Sequence, residues 1–237
     1  MNAVDQFLLS FVNQFSRRSW AFDNLIEILS RNYLVKGGLF MALFWWMWFR
    51  EDHSNWVGIN PRQVLLASLI GTFCTLFLAR LMAKVLPFRL RPLDNPELLL
   101  RVPYGVLPTS RVWSSFPSDH ATVFFGLATG LLLISRQLGL FGFFYAFILI
   151  CIPRIYLGMH YPTDILAGGL LGIVGVLLAN VASIRDTLTR PVLNWLRRHP
   201  RSFYAVFFLF TFEIATMFDS IRELARFVFS VLKARLA

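Results

Sequence analysis

Residues 165–184 run for 20 positions without a formal charge, which decides what kind of solvent this chain can fold in. A helix of that length covers about 30 Å, the thickness of a bilayer core. Gly168, Gly169, Gly172 and Gly175 lie within it and suit close helix packing inside lipid. The rest of the chain agrees: 57% of its 237 residues are hydrophobic and 15% are charged, against about 25% charged in a soluble domain. Four further uncharged or nearly uncharged runs, at 33–49, 64–79, 121–135 and 137–153, bring the expected spans to five. The last two are parted only by Arg136 and a turn at Gly139. Trp45, Trp46 and Trp48 read as an interfacial belt at one end of the first run, with Lys36 near its other end. The predicted fold is all-α: a polytopic membrane bundle of five to six transmembrane helices.

The ends of the chain are amphipathic. Phe7, Phe11 and Phe15 recur at helical spacing, as do Phe22, Leu25, Ile26 and Leu29, so residues 1–32 read as short interfacial helices. Residues 203–218 are apolar apart from Glu213, and an amphipathic pattern follows from Ile221; this is either a sixth span or an interfacial helix. Between them, Arg185, Arg190, Arg197, Arg198 and Arg201 crowd a basic loop, which the positive-inside rule places in the cytoplasm. Counting spans back from it sets the 84–120 and 154–164 segments together on the outer face. Cys74 and Cys151 fall in apolar runs as free thiols.

The net charge of +10 raises nucleic acid as a partner, but the arginines sit at bilayer edges and not on a water-facing basic surface, which argues against it. Between residues 98 and 184 the formal charges are Arg101, Arg111, Asp119, Arg136, Arg154 and Asp164. Three polar clusters stand out. In Lys84 to Arg91-Pro92, the cations Lys84, Arg89 and Arg91, with Arg80 before them, read first as headgroup anchors at a helix end and second as anion ligands. In Pro117-Ser118-Asp119-His120, Ser118 or Asp119 suits an N-cap, while the same helix start offers an anion its free N–H groups. In Arg154 to Asp164, His160 stands four residues before an acid able to fix its tautomer. Three cations around one point suit a phosphate, whose transfer depends on charge stabilisation and positioning. They repel a metal ion, so the two histidines and two aspartates are not read as a metal site.

These clusters form K-x6-R-P, P-S-x-H and R-x5-H-x3-D, and in that order the chain resembles the type 2 phosphatidic acid phosphatase superfamily. The resemblance covers about 60–184 and leaves the C-terminal segment outside it. The P-S-D-H form is similar to the bacitracin-resistance type of undecaprenyl pyrophosphate phosphatase. Asp119 stands where the family commonly has Gly, and Pro153 where it has Ser. The resemblance implies a lipid phosphatase without cofactor or metal, in a bacterial inner membrane, with its site facing the periplasm and a lipid phosphate or pyrophosphate as substrate. It implies that His160 attacks phosphorus, that Asp164 orients it, and that His120 is acid and then base. Lys84, Arg91, Ser118, Arg154 and the backbone of Asp119 would hold the phosphoryl oxygens. The expected division is interfacial helices over 1–32, a catalytic transmembrane domain over 33–184, and a basic loop with a last helix over 185–237.

Overall fold

A computed structural model describes residues 3–50, 60–106 and 113–236, so Arg111 lies outside the described residues. The described residues form helices and no strand. In order these are α1 (Ala3–Asn13), α2 (Trp20–Arg31), a π-turn (Leu34–Gly38) leading into α3 (Leu39–Phe49), and α4 (Pro61–Val85). After a long loop come α5 (Asp119–Leu132), then α6 (Arg136–Tyr145), which continues through a π-turn (Ala146–Cys151) into α7 (Ile152–Tyr156). The chain ends with α8 (Pro162–Ala179), α9 (Ala182–Arg198), α10 (Pro200–Ala215) and α11 (Asp219–Leu236).

Three of these, Pro61–Val85, Arg136–Tyr156 and Pro162–Ala179, are long and apolar enough to cross a bilayer unaided. Leu34–Phe49 is shorter, and α5, with 14 residues, lies at the centre of the bundle with Phe124, Leu127 and Leu131 fully buried. The molecule is a helical membrane bundle. Its centre is the packing of α5 on α8, made possible by glycine. A Cβ on Gly172 would stand 2.0 Å from the Thr122 carbonyl oxygen, and one on Gly168 would stand 2.3 Å from that of Ser118.

Several details differ from the sequence expectation. Gly139 is not a turn. It lies inside α6, where a Cβ would overlap Leu132, and the reversal falls at residues 133–135, with Ser135 capping α6. Pro153 has no N–H for the carbonyl four residues back, and the preceding turn widens into the π-turn. The Trp belt is largely core. Trp48 is 1% exposed and stacks on Phe203, while Trp45 donates to Thr211. Only Trp46 of the three points outward. The reason is α10, which runs antiparallel to α3, from Phe203 beside Trp48 to Ala215 beside Gly37. At 216–218 the chain then bends by 89° into α11, so 203–232 is not one continuous span. The segment expected as a basic loop is a helix, α9, braced by an Arg190–Asp186 pair one turn apart.

α9 packs against the first half of α4, where Ile184 and Leu188 share a cavity with Ile70 and Cys74. The three polar clusters gather at the opposite end. α1 and α2 lie at that end too, each with one fully buried acid facing the bundle, Asp5 and Asp23. Phe7 and Phe11 point away from it. Asp23 accepts from the Tyr156 hydroxyl of α7 and, at 2.8 Å, from the Tyr104 N–H.

Candidate active site

α4 ends at Val85, ahead of Pro87, so Lys84 and Arg91 do not share a helix. The loop that follows is tied to the other two clusters through the backbone. Leu93 N–H donates to the Gly158 carbonyl (2.9 Å), Ser115 N–H to that of Arg89 (2.9 Å), and Ser118 N–H to that of Asp164 (3.1 Å). Gly158 has φ of +61°, and a Cβ there would stand 3.1 Å from the Leu93 nitrogen. This left-handed turn ends α7 and brings His160 back under the loop.

His160 is 2% exposed. Its Nδ1 lies 2.8 Å from the Ser115 carbonyl oxygen. A carbonyl only accepts, so Nδ1 carries the proton and Nε2 holds the lone pair. Asp164 was expected to make this bond. Its Oδ2 stands 3.7 Å from Nδ1, close enough to act on a charged ring, but it accepts the Tyr161 N–H at 2.8 Å instead. Burial, with Arg91 and Arg154 nearby, holds the His160 pKa below the ordinary imidazole range, and the Asp164 carboxylate opposes that shift.

His120, in the first turn of α5, is 2.7 Å through Nδ1 from the Asp119 carboxylate, which fixes its tautomer in the same sense. The residue that departs from the common family pattern thus gives the second histidine its own carboxylate. Asp119 also faces Arg80 at 3.9 Å. Ser118 is fully buried and accepts from Ala121 N–H at 3.4 Å, so its side chain caps α5. The Asp119 and His120 N–H groups, in the first turn, have no acceptor within the helix.

The cations are not equivalent. Arg154 is buried, 3.6 Å from the sulfur of Met159. Arg91 donates to the Met159 carbonyl at 3.2 Å and, with His160, lines a cavity of about 240 Å³. Lys84 is exposed, with Nζ 4.9 Å from the centre of the Trp113 ring, at the rim and not in the pocket.

Three charged residues escaped the sequence reading. Arg89, one of the cations assigned to headgroup anchoring, is 2.5 Å from Asp164 and 2.7 Å from Asp5, and its guanidinium lies 3.9 Å over the Tyr161 ring. Asp5 also accepts the Thr163 N–H and hydroxyl. Its only trace in the sequence is an acid on the face of α1 opposite the Phe stripe. Lys36, expected at a span end, is 5% exposed and acts electrostatically on Arg154 and Asp119. Among the described residues, no three His, Cys, Asp or Glu side chains gather as a metal-ligand set.

His160 and three guanidiniums, Arg80, Arg91 and Arg222, thus line one cavity at one end of a helical membrane bundle. Residues 63–186 match the model of the PAP2 superfamily. Over 160 residues, 66% of this chain and 73% of the relative, the chain is 30% identical to "Putative undecaprenyl-diphosphatase YbjG" of Escherichia coli (strain K12). Over 81 residues, 32% of this chain and 39% of the relative, it is 36% identical to "Bacitracin transport permease protein BcrC" of Bacillus licheniformis. The crystal structure of Aquifex aeolicus LpxE superposes with a TM-score of 0.54 at 24% identity, over 75% of this chain and 95% of that one, and shares the fold. The chain belongs to the PAP2 superfamily and is a phosphatase of the bacterial membrane.

Proposed function

We propose that the protein releases phosphate from a lipid diphosphate, undecaprenyl pyrophosphate, at the outer face of a bacterial inner membrane, through a phosphohistidine on His160. The observation that carries this reading is the bond from His160 Nδ1 to the Ser115 carbonyl, which leaves Nε2 as a buried nucleophile beside Arg91. Nε2 forms a bond to the terminal phosphorus while the bridging P–O bond breaks, its electron pair staying on the lipid phosphate. Arg91, Arg154 and the N–H groups of Asp119 and His120 stabilise the charge on the transferring group, and Lys84 draws the headgroup in at the rim. In its charged form, with Nδ1–H held by Asp119, His120 protonates the leaving oxygen through Nε2; now neutral, it takes a proton from the attacking water as the P–N bond breaks. Asp164 stabilises His160 once it is charged. A protein that only bound headgroups would need the cations but not two histidines, each with one ring nitrogen fixed.

The charge on α9 supports the outer placement of the site: Arg185, Arg190, Arg197 and Arg198 lie at the end opposite His160, where the positive-inside rule favours the cytoplasm. The test is phosphate release by the purified protein in detergent with EDTA. The panel is undecaprenyl pyrophosphate, phosphatidylglycerophosphate and phosphatidic acid, with and without vanadate. Release from the diphosphate, inhibited by vanadate, is the expected result. Preference for either phospholipid moves the substrate, and no release from any of them removes the enzyme reading for these lipids.

A further inference from the structure

The cavity that holds His160 and Arg91 has a second pair of guanidiniums on its wall, Arg80 of α4 and Arg222 of α11. Neither belongs to the three motifs, and Arg222 lies outside residues 63–186, on a helix the family match does not reach. α11 is fixed over the site. The Tyr33 hydroxyl donates to Asp219 at 2.7 Å, Asp219 pairs with Arg222, and Arg80 donates to the Met217 carbonyl at 2.9 Å. Arg80 and Arg222 are close enough to act on each other electrostatically, and the Asp119 carboxylate acts on both. On α4, Ala79 and Ala83 line the same space, so small side chains leave room beside the two cations.

From this arrangement we infer that Arg80 and Arg222 form a second anion subsite, which takes the lipid-side phosphate of a diphosphate while Arg91 and Arg154 hold the phosphate being transferred. The inference rests on the phosphatase reading above and names the headgroup class. A monophosphate group brings about two negative charges into the cavity and a diphosphate about three, so a second guanidinium pair has work only with the longer headgroup. When the bridging P–O bond breaks, the electron pair it leaves adds charge to the lipid monophosphate. Arg80 and Arg222 then meet more charge in the transition state than in the ground state, so the pair acts on turnover as well as on binding.

The experiment compares farnesyl diphosphate with farnesyl monophosphate, which share one tail, on the full-length protein and on Arg222→Gln. Inhibition constants are measured in parallel for inorganic pyrophosphate and phosphate. The substitution is expected to lower kcat/KM for the diphosphate at least tenfold more than for the monophosphate, and to abolish the preference for pyrophosphate over phosphate as inhibitor. Arg222→Lys should restore part of both. If only the diphosphate is turned over, the inhibitor pair carries the comparison. Equal losses on both substrates with the inhibitor preference intact, or no loss on the diphosphate, overturn the subsite and leave the phosphatase standing. A wild-type protein that hydrolyses neither farnesyl lipid nor any lipid of the panel above overturns the lipid phosphatase reading, whereas one that hydrolyses a panel lipid but binds pyrophosphate no better than phosphate overturns the subsite alone.

Discussion

The Asp5 carboxylate and the Arg89 guanidinium, 84 positions apart in the chain, meet at 2.7 Å. Arg89 reaches Asp164 with its other terminal nitrogen, so an acid on the first helix and an acid beside His160 share one cation. The guanidinium is pinned from two sides and from the Tyr161 ring, and Asp164 is held in turn.

Replacing Asp5 with Asn keeps the shape but removes one charge from this chain. Charge-assisted bonds of this kind contribute about 1.5–3 kcal/mol each, so a lowered melting temperature in detergent is expected. For the reaction, kcat should fall several-fold with KM within about twofold, the pattern of lost transition-state stabilisation. A proportional loss of active protein, with kcat per active site unchanged, would limit Asp5 to folding.

His160→Ala should reduce turnover by about 10³-fold or more, since residual catalysis from binding alone is what remains when a nucleophile is lost. His120→Ala removes the acid of the first step and the base of the second, so formation and breakdown of the intermediate should both slow. Rapid quenching of the wild-type protein should trap labelled phosphate as an acid-labile, base-stable adduct that His160→Ala does not form.

The pH dependence follows from the environment of His160. The proposed nucleophile is the neutral His160 ring, and burial with Arg91 and Arg154 lowers its pKa below the ordinary imidazole range. Activity limited by this group therefore persists as pH falls through that range and is lost only below it, where the ring takes up a proton. The acid limb of kcat/KM locates the transition. Asp164→Asn removes the opposing carboxylate and should move that limb to still lower pH while lowering kcat.

Lys84 and Arg91 belong to one motif yet occupy different depths. Arg91→Gln should cost more in kcat than Lys84→Gln, whose exposed ammonium over Trp113 acts mainly on capture and raises KM. Steady-state kinetics on both variants separate the two roles.

Gly158→Ala puts a Cβ into a left-handed turn already in contact with Leu93. The backbone strain alone is about 1–2 kcal/mol, and the Leu93–Gly158 hydrogen bond is at risk with it. Reduced thermal stability and weaker phosphate binding should appear together.

The three motifs were legible because each is compact and their order is specific. That they would share one end of the bundle followed from counting spans. What was missed has a physical cause. Asp5 and Arg89 are joined only by tertiary structure, and a single acid on an amphipathic helix looks solvent-facing until its neighbours are known. Trp45 and Trp48 have the composition of an interfacial belt, and only the return of α10 beside α3 buries Trp48 and half-buries Trp45. Arg222 read as one charge in an amphipathic repeat, because the bend at 216–218 that carries it over the site has no strong sequence mark. In the sequence Lys36 has the position of a span-end cation, and the π-turn draws it inward instead.

The proton on His160 Nδ1 is held by a main-chain oxygen, which every amino acid possesses. Residue 115 is therefore open to replacement as far as the His160 tautomer is concerned, whereas position 158 accepts almost nothing but glycine. Two sites at similar remove from the chemistry thus differ in how freely mutation can pass through them, and neither difference depends on touching the substrate.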